Sequence, residues 1–350
     1  METILIKTDP SSPGEAEISR AADIIRNGGL VIFPTETVYG IGGDATDPES
    51  AKKIYAAKGR PSDNPLIIHI ASPEEAEGYA VTCPLYYRLA RAFMPGPITV
   101  ILEKKDIIPF EVTGGLATVA VRCPSHPVAN MLIRLSGVPV AAPSANVSGR
   151  PSATDAATAL SDFDGKVDCL IDGGDAEFGL ESTIVKITGD DSLLLLRPGA
   201  VTADALRCVC SDVKISDTVE RAVGEGERPV CPGMKYRHYA PAKPLALVGG
   251  TKKERLEFFL RAAENENCVF ICYDEQAPFL PRERTISLGS EKDLLSQGHL
   301  LFSALRHADV LPGERIYANL PPRKGLGLAL RNRLIRAAAH TVVNAKEKLK

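Results

Sequence analysis

The sequence predicts an α/β protein with two domains, a twisted mixed sheet in its N-terminal part and a smaller, doubly wound domain after it. A chain of 350 residues is long enough for about two domains. Short apolar runs of strand type alternate with apolar helical stripes along most of the chain, which is typical of α/β folds. After about residue 212 the apolar periodicity fades, and Gly and Pro become frequent. We therefore predict an N-terminal domain over 1–212, a linker over 213–243 and a C-terminal domain over 244–350.

In the N-terminal domain some predicted strands are joined through helices and others directly, and this mixture implies a mixed sheet. Apolar residues from Ile18 to Ile25 recur at helical spacing, and Gly28 ends that helix. The predicted strands are 4–6, 30–33, 66–70, 98–102, 117–122, 138–142, 168–171, 182–187 and 193–197, and the further helices are 48–58, 73–79, 84–94 and 127–136.

The stretch Lys58-x-Arg60 places two cations between a predicted helix and a predicted strand. The helix begins after Asp47, whose carboxylate suits an N-cap, and it ends at Gly59. Prolines stiffen the loop that follows. Such a pair is either a solvated surface pair or an anion site held by a rigid scaffold, and the residues alone leave both interpretations open.

The second half of the predicted linker, Cys231–Pro241, is cationic and aromatic, unlike a flexible spacer. It is either a Pro-stiffened strap between the domains or a segment that lies across a ligand, and the two interpretations are compatible. The C-terminal domain shows the alternation of a doubly wound, Rossmann-like fold. It lacks G-x-G-x-x-G after its first strand, so dinucleotide binding is not predicted. Its predicted strands are 245–248, 268–273 and 315–318, and its helices are 251–264, 291–308 and 327–342.

Charge and cysteine content exclude several classes of protein. A net charge of -3 and a pI near 6.1 argue against a protein that coats nucleic acid. The eight cysteines form no C-x-x-C pair and the histidines are scattered, so no protein-held metal site is predicted. There is no signal-peptide pattern and no apolar run long enough to span a bilayer. We therefore expect a cytoplasmic protein without membrane contact.

No Walker A, H-E-x-x-H or G-x-S-x-G motif occurs, so a P-loop, a zinc protease and a serine hydrolase are not predicted. The N-terminal domain instead carries cations and hydroxyls near strand ends. A charge at the end of a buried strand is costly unless it meets a partner or an anion. Each alone is more often a salt-bridge partner, but their recurrence indicates one polar, cationic cavity. These residues are Lys58, Arg60, Arg122, Ser144, Asn146, Arg150, Ser182 and Arg197.

Several motifs lie at the predicted element ends: Lys58-x-Arg60, Ser144-x-Asn146, Pro34-Thr-Glu-Thr-Val-Tyr-Gly40, Pro95-Gly-Pro97 and Gly179-Leu-Glu-Ser-Thr183. Together they resemble the signature of the YrdC-like family, over roughly residues 10–205. The linker and the C-terminal α/β domain resemble the longer, two-domain form of that family. Cys231 departs from the linker pattern, which often begins with Ser.

The resemblance implies that the chain forms threonylcarbamoyl-AMP and pyrophosphate from L-threonine, bicarbonate and ATP. Downstream tRNA threonylcarbamoyl-transferase proteins would use the product to make threonylcarbamoyl-adenosine in tRNA. The resemblance also implies Mg²⁺ bound with ATP, catalysis by positioning and charge through Lys58 and Arg60, and a linker that closes over the active site. The implied L-threonine contacts are Thr37, His69, Arg122, Ala142 (through its backbone) and Ser182. The implied ATP contacts are Lys58, Arg60, Asn64, Thr118, Ser144, Asn146, Ser152, Arg197 and Tyr236.

Two other functions suit the same fold. A double-stranded RNA-binding module would use a concave cationic face, but the acidic net charge and the lack of basic-aromatic interleaving count against it. A carbamoyl transfer domain shares the fold but occurs inside much larger, cysteine-motif-bearing chains. The sequence leaves open the oligomeric state, the preferred metal, the role of the C-terminal domain and whether tRNA is contacted directly.

Overall fold

The computed structural model describes residues 2–221, 231 and 238–346. The chain forms two compact units, one of Met1–Ser148 with Ser152–Lys235 and the other of Gly149–Pro151 with Tyr236–Lys350. About half of the predicted linker, residues 222–230 and 232–237, lies outside the described residues. None of the described helices is long and apolar enough to cross a membrane.

The first unit is built on a 12-stranded sheet. Its strands are β1 (Ile4–Lys7), β2 (Val31–Phe33), β3 (Gly40–Asp44), β4 (Ile67–His69), β5 (Ala80–Val81), β6 (Ile98–Lys104), β7 (Thr118–Arg122), β8 (Val140–Ala141), β9 (Cys169–Asp172), β10 (Thr183–Gly189), β11 (Ser192–Arg197) and β12 (Asp212–Ile215). Its helices are α1 (Glu15–Arg26), α2 (Pro48–Lys58), α3 (Ala76–Tyr79), α4 (Pro84–Phe93), α5 (Pro127–Ser136), α6 (Ala156–Phe163) and α7 (Ala203–Arg207).

The strand order of this sheet is β1-β9-β2-β3-β8-β4-β7-β6-β10-β11-β12, and β5 pairs with β6 beside that path. β4 and β7 are parallel, whereas β6 and β7 are antiparallel. The predicted mixed sheet is therefore confirmed. Its last strand, β12, extends past residue 212, where the domain boundary was predicted.

Both ends of helix α2 are set by the capping residues that the sequence predicts. The Asp47 carboxylate accepts hydrogen bonds from the backbone N–H groups of Glu49 and Ser50, and Pro48 occupies the first turn. Gly59 ends the helix in the left-handed region, with φ of 59°. The helix ends at Lys58, which is therefore also the first residue of the Lys58-x-Arg60 loop.

Strand β3 was not predicted, because Gly40–Asp44 contains three glycines and lacks a β-branched pattern. The structure shows why a glycine is needed at position 42. A Cβ atom there would lie 2.6 Å from Cγ1 of Val140 and 2.8 Å from Cε1 of Phe33. Close packing against residues of β2 and β8 therefore stabilises β3, and the β propensity of its own residues does not.

The central strands bury one face in the large core and carry polar residues on the other. Ile68 belongs to the large core, which also contains residues of α2 and α4. Ile67 and Ala120 lie in a smaller apolar cluster on the opposite face. Because side chains alternate along a strand, His69 and Arg122 share the face of Ile67 and Ala120.

The second unit is a parallel five-stranded sheet with the order β15-β14-β16-β13-β17, so the predicted doubly wound domain is confirmed. The predicted final helix is too long: it ends at Ala337, because Ala339 and His340 take positive φ values, and a short strand follows. The strands are β13 (Leu245–Gly249), β14 (Cys268–Cys272), β15 (Thr285–Ser287), β16 (Arg315–Asn319) and β17 (Val342–Asn344), and the helices are α8 (Lys252–Asn265), α9 (Leu294–Ala308) and α10 (Leu326–Ala337).

Candidate active site

Polar residues from neighbouring strands of the first unit meet along one row of its sheet. His69 at the end of β4 pairs with Arg122 at the end of β7. The register of β6 and β7, continued by one residue, puts Thr99 opposite Arg122. Next in the row, Ile184 lies between Thr99 and Arg197. Adjacent strands are about 4.8 Å apart, so the row gathers these side chains within a few strand widths.

Arg122 is held by the segment that precedes β3. Its Nη2 atom lies 2.8 Å from the Oε1 atom of Glu36 and donates to the Thr35 hydroxyl at 3.3 Å. The Thr35 hydroxyl also lies 2.8 Å from the Thr37 hydroxyl. The buried guanidinium of Arg122 thus contacts one carboxylate and one hydroxyl, and Thr37 is connected to it through the Thr35 hydroxyl.

His69 is a neutral imidazole beside this cation. Burial lowers its pKa to about 3, and the nearby charge of Arg122 acts in the same direction. Its Nδ1 atom lies 3.3 Å from the carbonyl oxygen of Val140 and therefore carries the proton. With the proton on Nδ1, Nε2 is left as a hydrogen-bond acceptor.

Lys58 lies under the loop that contains Ser144 and Asn146. Its ammonium donates to the carbonyl oxygen of Ser144 at 2.5 Å and to that of Asn146, and the residue is only 2% exposed. Within the loop the Ser144 hydroxyl donates to Oδ1 of Asn146 at 2.5 Å. Lys58 thus binds the backbone beneath two predicted ATP contacts, so any effect it has on ATP would include the position of this loop.

Arg60 and Asn64 shape the loop after α2. The guanidinium of Arg60 donates to the carbonyl oxygens of Asn64 and Pro65, at 3.3 Å and 3.0 Å. Oδ1 of Asn64 is buried, and it has no hydrogen-bond partner among the residues that the structure describes. The loop therefore presents an amide whose bonding capacity is not used by these residues.

Ser182 and Arg197 lie at the far end of the row. Arg197 donates to the carbonyl oxygen and to the hydroxyl of Ser182, at 3.0 Å and 3.1 Å. The Ser182 hydroxyl is also 2.7 Å from that of Thr99. Next to Ser182 in the chain, Glu181 accepts a 2.7 Å hydrogen bond from Ser152. Ser182, a predicted L-threonine contact, therefore lies next to Arg197 and close to Ser152, which are predicted ATP contacts.

The remaining predicted residues are placed as follows. Thr118 starts β7 on the same face as Arg122, four residues along the strand. The N–H group of Ala142 donates to the carbonyl oxygen of Ile67 at 2.9 Å, which fixes the backbone of Ala142 beside β4. Tyr236 lies outside the described residues, so the predicted closure by the linker stays a prediction. The one described residue of that stretch before position 238, Cys231, is buried in the small apolar cluster on the site's face.

No role was predicted for four residues that the structure places in the candidate site. Thr35 and Glu36 stand inside the Pro34–Gly40 motif, and Glu181 stands inside the Gly179–Thr183 motif, so the motifs themselves could have indicated them. Thr99 carries no such signal, because only the sheet register brings it to Arg122 and Ser182.

The fold and this row of residues define a YrdC-like protein, and comparison with known proteins agrees. Residues 23–199 match the Sua5–YciO–YrdC family model, whose description is telomere recombination. Residues 201–339 match the model described as threonylcarbamoyl-AMP synthase, C-terminal domain. The chain belongs to the threonylcarbamoyl-AMP synthase family.

Relatives of nearly the same length support that assignment. The threonylcarbamoyl-AMP synthase of Pyrococcus abyssi is 42% identical over 339 residues, which cover 94% of this chain and 96% of that protein. The one of Bacillus subtilis is 40% identical, with 96% and 97% covered. A crystal structure of P. abyssi Sua5 complexed with L-threonine superposes with a TM-score of 0.90 at 40% identity, covering 98% of this chain and 99% of that one. The similarity thus extends over both units.

Proposed function

We propose that this chain is an enzyme that makes threonylcarbamoyl-AMP and pyrophosphate from L-threonine, bicarbonate and ATP. The observation that carries the proposal is the row of His69, Arg122 and Ser182 on one face of the first sheet. It occurs in a chain that is 42% identical to a threonylcarbamoyl-AMP synthase and that resembles a structure complexed with L-threonine.

The L-threonine site would use groups with complementary bonding roles. Arg122 is the cation for the carboxylate, since a guanidinium suits that group. Neutral His69 offers an acceptor to the substrate's donors. The hydroxyls of Thr37 and Ser182 can both donate and accept. Because the N–H of Ala142 is already bonded to Ile67, its backbone contact would come from the carbonyl oxygen.

ATP would bind between the Lys58-x-Arg60 loop and the Ser144–Asn146 loop. Arg60 and Arg197 supply positive charge where the attack on the α-phosphorus builds negative charge on phosphate oxygens. Lys58 keeps Ser144 and Asn146 in place from below. Catalysis would then consist of positioning and electrostatic stabilisation, and it would need no covalent intermediate with the enzyme.

Mg²⁺ would accompany ATP, held mainly by phosphate oxygens, as is usual for this ion. Among the described residues there is no group of three or more His, Cys, Asp or Glu side chains that could hold a metal. The carboxylate of Glu181 accepts a hydrogen bond from Ser152, one of the predicted ATP contacts, and would be available near the ion. When bound, the ion would neutralise charge on the departing pyrophosphate.

The carbamate of threonine is short-lived in water, so the site must exclude solvent until the carbamate attacks the α-phosphorus of ATP. We assign that task to the linker, of which Cys231 already lies in the apolar cluster on the site's face. The product would pass to tRNA-modifying proteins in the cytoplasm, which attach the threonylcarbamoyl group to adenosine.

The test is an ATP–pyrophosphate exchange assay on the full-length protein, with and without L-threonine and bicarbonate, followed by mass spectrometry of the nucleotide product. We expect exchange that needs both substrates and a product of the mass of threonylcarbamoyl-AMP. Exchange that is independent of both would contradict the proposal, and tight binding of double-stranded RNA without any exchange would favour an RNA-binding module.

A further inference from the structure

Glu36 is a buried acid in the candidate site to which the proposed reaction has given no task. It is 2% exposed, and its partner Arg122 is 4% exposed. A buried ion pair of this kind is weak evidence for stability, since apolar residues of similar volume often stabilise as well. The backbone of Glu36 is also fixed, because its carbonyl oxygen accepts from the N–H of Phe178 at 2.9 Å. The pair is therefore held in a defined geometry.

The pair does not use all of its bonding capacity. Within the part of the chain that the structure describes, both carboxylate oxygens of Glu36 and Nε of Arg122 are buried without a hydrogen-bond partner. Oε1 of Glu36 forms an ion pair with Nη2 of Arg122 at 2.8 Å, so these unbonded atoms belong to side chains in direct contact. The Glu36 oxygens are anionic acceptors and Nε of Arg122 is a cationic donor.

An α-amino acid carries the complementary groups, an ammonium and a carboxylate on one carbon atom. We propose that Glu36 binds the α-ammonium of the substrate while Arg122 binds its α-carboxylate. This inference rests on the proposed function, and it adds Glu36 as a substrate-binding residue that selects amino acids.

The charge balance supports this arrangement. Glu36 and Arg122 together are neutral, and so is a zwitterionic amino acid, so binding buries four charges as two matched pairs. A hydroxy acid of the same shape would bring a carboxylate without an ammonium, which leaves the Glu36 carboxylate facing a hydroxyl and one negative charge in excess. The site should therefore prefer an amino acid to the matching hydroxy acid.

The test is calorimetric binding to the full-length protein of L-threonine and of the 2,3-dihydroxybutanoate of the same configuration. We expect Glu36→Gln to weaken L-threonine binding about ten- to hundred-fold, the effect of losing a hydrogen bond to a charged group, and to leave the dihydroxybutanoate unchanged or tighter. Glu49→Gln, which changes an exposed acid on α2, should alter neither affinity.

Equal weakening of both ligands would show that Glu36 only positions Arg122, and no change in either would also overturn the inference. Should Glu36→Gln fail to fold, Glu36→Asp provides the test, because it keeps the negative charge but moves it back by one methylene group. Selective weakening of L-threonine binding by Glu36→Asp supports the inference, and any other pattern overturns it. A wild-type protein that does not bind L-threonine at all would instead overturn the proposed function.

Discussion

Both units of this protein place polar side chains at the carboxyl ends of buried strands, but they use them differently. In the second unit Asn319, at the end of β16, donates to Oε1 of Gln276 at 2.6 Å, and Gln276 donates back at 3.4 Å. Oε1 of Gln276 also accepts from the N–H of Tyr273. These groups are uncharged amides that bond to one another.

In the first unit the corresponding groups are Glu36, which follows β2, and Arg122, at the end of β7, and both are charged. Each keeps a buried atom without a hydrogen-bond partner among the described residues. Such atoms are costly unless a ligand completes their bonds. Among the described residues of the second unit, such atoms occur on Arg255 and Glu266, within and at the end of α8, and not at the carboxyl end of β16. The comparison of the two strand ends therefore teaches that unused bonding capacity at this place indicates a ligand site, whereas polarity alone does not.

The largest difference in stability between matched variants of the two units should follow from replacing Arg122. Arg122→Leu leaves the Glu36 carboxylate buried without its counter-charge, and we expect it to lower the free energy of unfolding by about 3–5 kcal/mol. The counterpart in the second unit, Asn319→Leu, leaves only an amide unpaired and should cost about 1–3 kcal/mol. Urea unfolding of both variants checks the order. The comparison fails if Asn319→Leu proves the more costly change.

Two of the three lysines of α2, Lys53 and Lys58, should differ less in their effects but under more closely matched conditions. Lys58 and Lys53 each donate to a backbone carbonyl, but Lys58 is buried and Lys53 is exposed, where it bonds to Gly28. We expect Lys58→Met to cost about 1–3 kcal/mol of stability and to weaken ATP binding, because it leaves two carbonyls without their donor. Lys53→Met should change stability by no more than about 0.5 kcal/mol. Thermal unfolding and ATP calorimetry of both variants are the measurements, and equal effects would refute the role of Lys58 under the loop.

His69 should make the stability depend on pH. Its pKa falls from 6.5 to about 3 on burial, so below pH 6.5 the unfolded chain binds a proton that the folded chain does not. This contribution lowers stability as the pH falls from 6.5 towards 3 and is absent above 6.5. We expect the wild type to lose about 1.4 kcal/mol per pH unit relative to His69→Gln in that window. Unfolding curves at pH 7, 6 and 5 test this, and parallel losses in both proteins would count against a buried neutral His69.

The helix caps should show the smallest effects and no contrast between the units. Asp47 caps α2 in the first unit, and Thr251 forms a capping box with Glu254 at α8 in the second. We expect Asp47→Ala and Thr251→Ala each to cost about 1 kcal/mol. Loss of L-threonine binding in Asp47→Ala, at retained fold, would mean that α2 positions the site more directly than its contacts indicate.

Much of the fold could be predicted from sequence, because strong local signals coincide with it. Asp47, Pro48 and Gly59 delimit α2 as expected, and the apolar runs mark most of the strands. The glycine-rich strand β3 could not be predicted, since its stability comes from close packing against Phe33 and Val140. The strands β15 and β17 are as short as β2 and β4, but they were not predicted because Thr285–Ser287 and Val342–Asn344 contain no continuous apolar run of three residues.

The candidate site was predictable as residue types but not as contacts. The motifs indicated Arg122, Ser182 and Lys58, yet no sequence pattern shows that Lys58 bonds to the Ser144 and Asn146 carbonyls. The pairing of Arg122 with Glu36 joins positions far apart in the chain and depends on the order of strands in the sheet. Such partners become visible only when the register is known.

The most direct test of the central claim compares amino acids as substrates of the full-length protein. If the row of His69, Arg122 and Ser182 binds L-threonine, polar groups that meet its hydroxyl are left unpaired by L-valine, which should be rejected by a factor on the order of 10⁴ in kcat/KM. L-serine keeps the hydroxyl and should react slowly but measurably. The measurement is formation of the carbamoylated adenylate from each amino acid with bicarbonate and ATP. Equal turnover of L-valine and L-threonine would contradict the account.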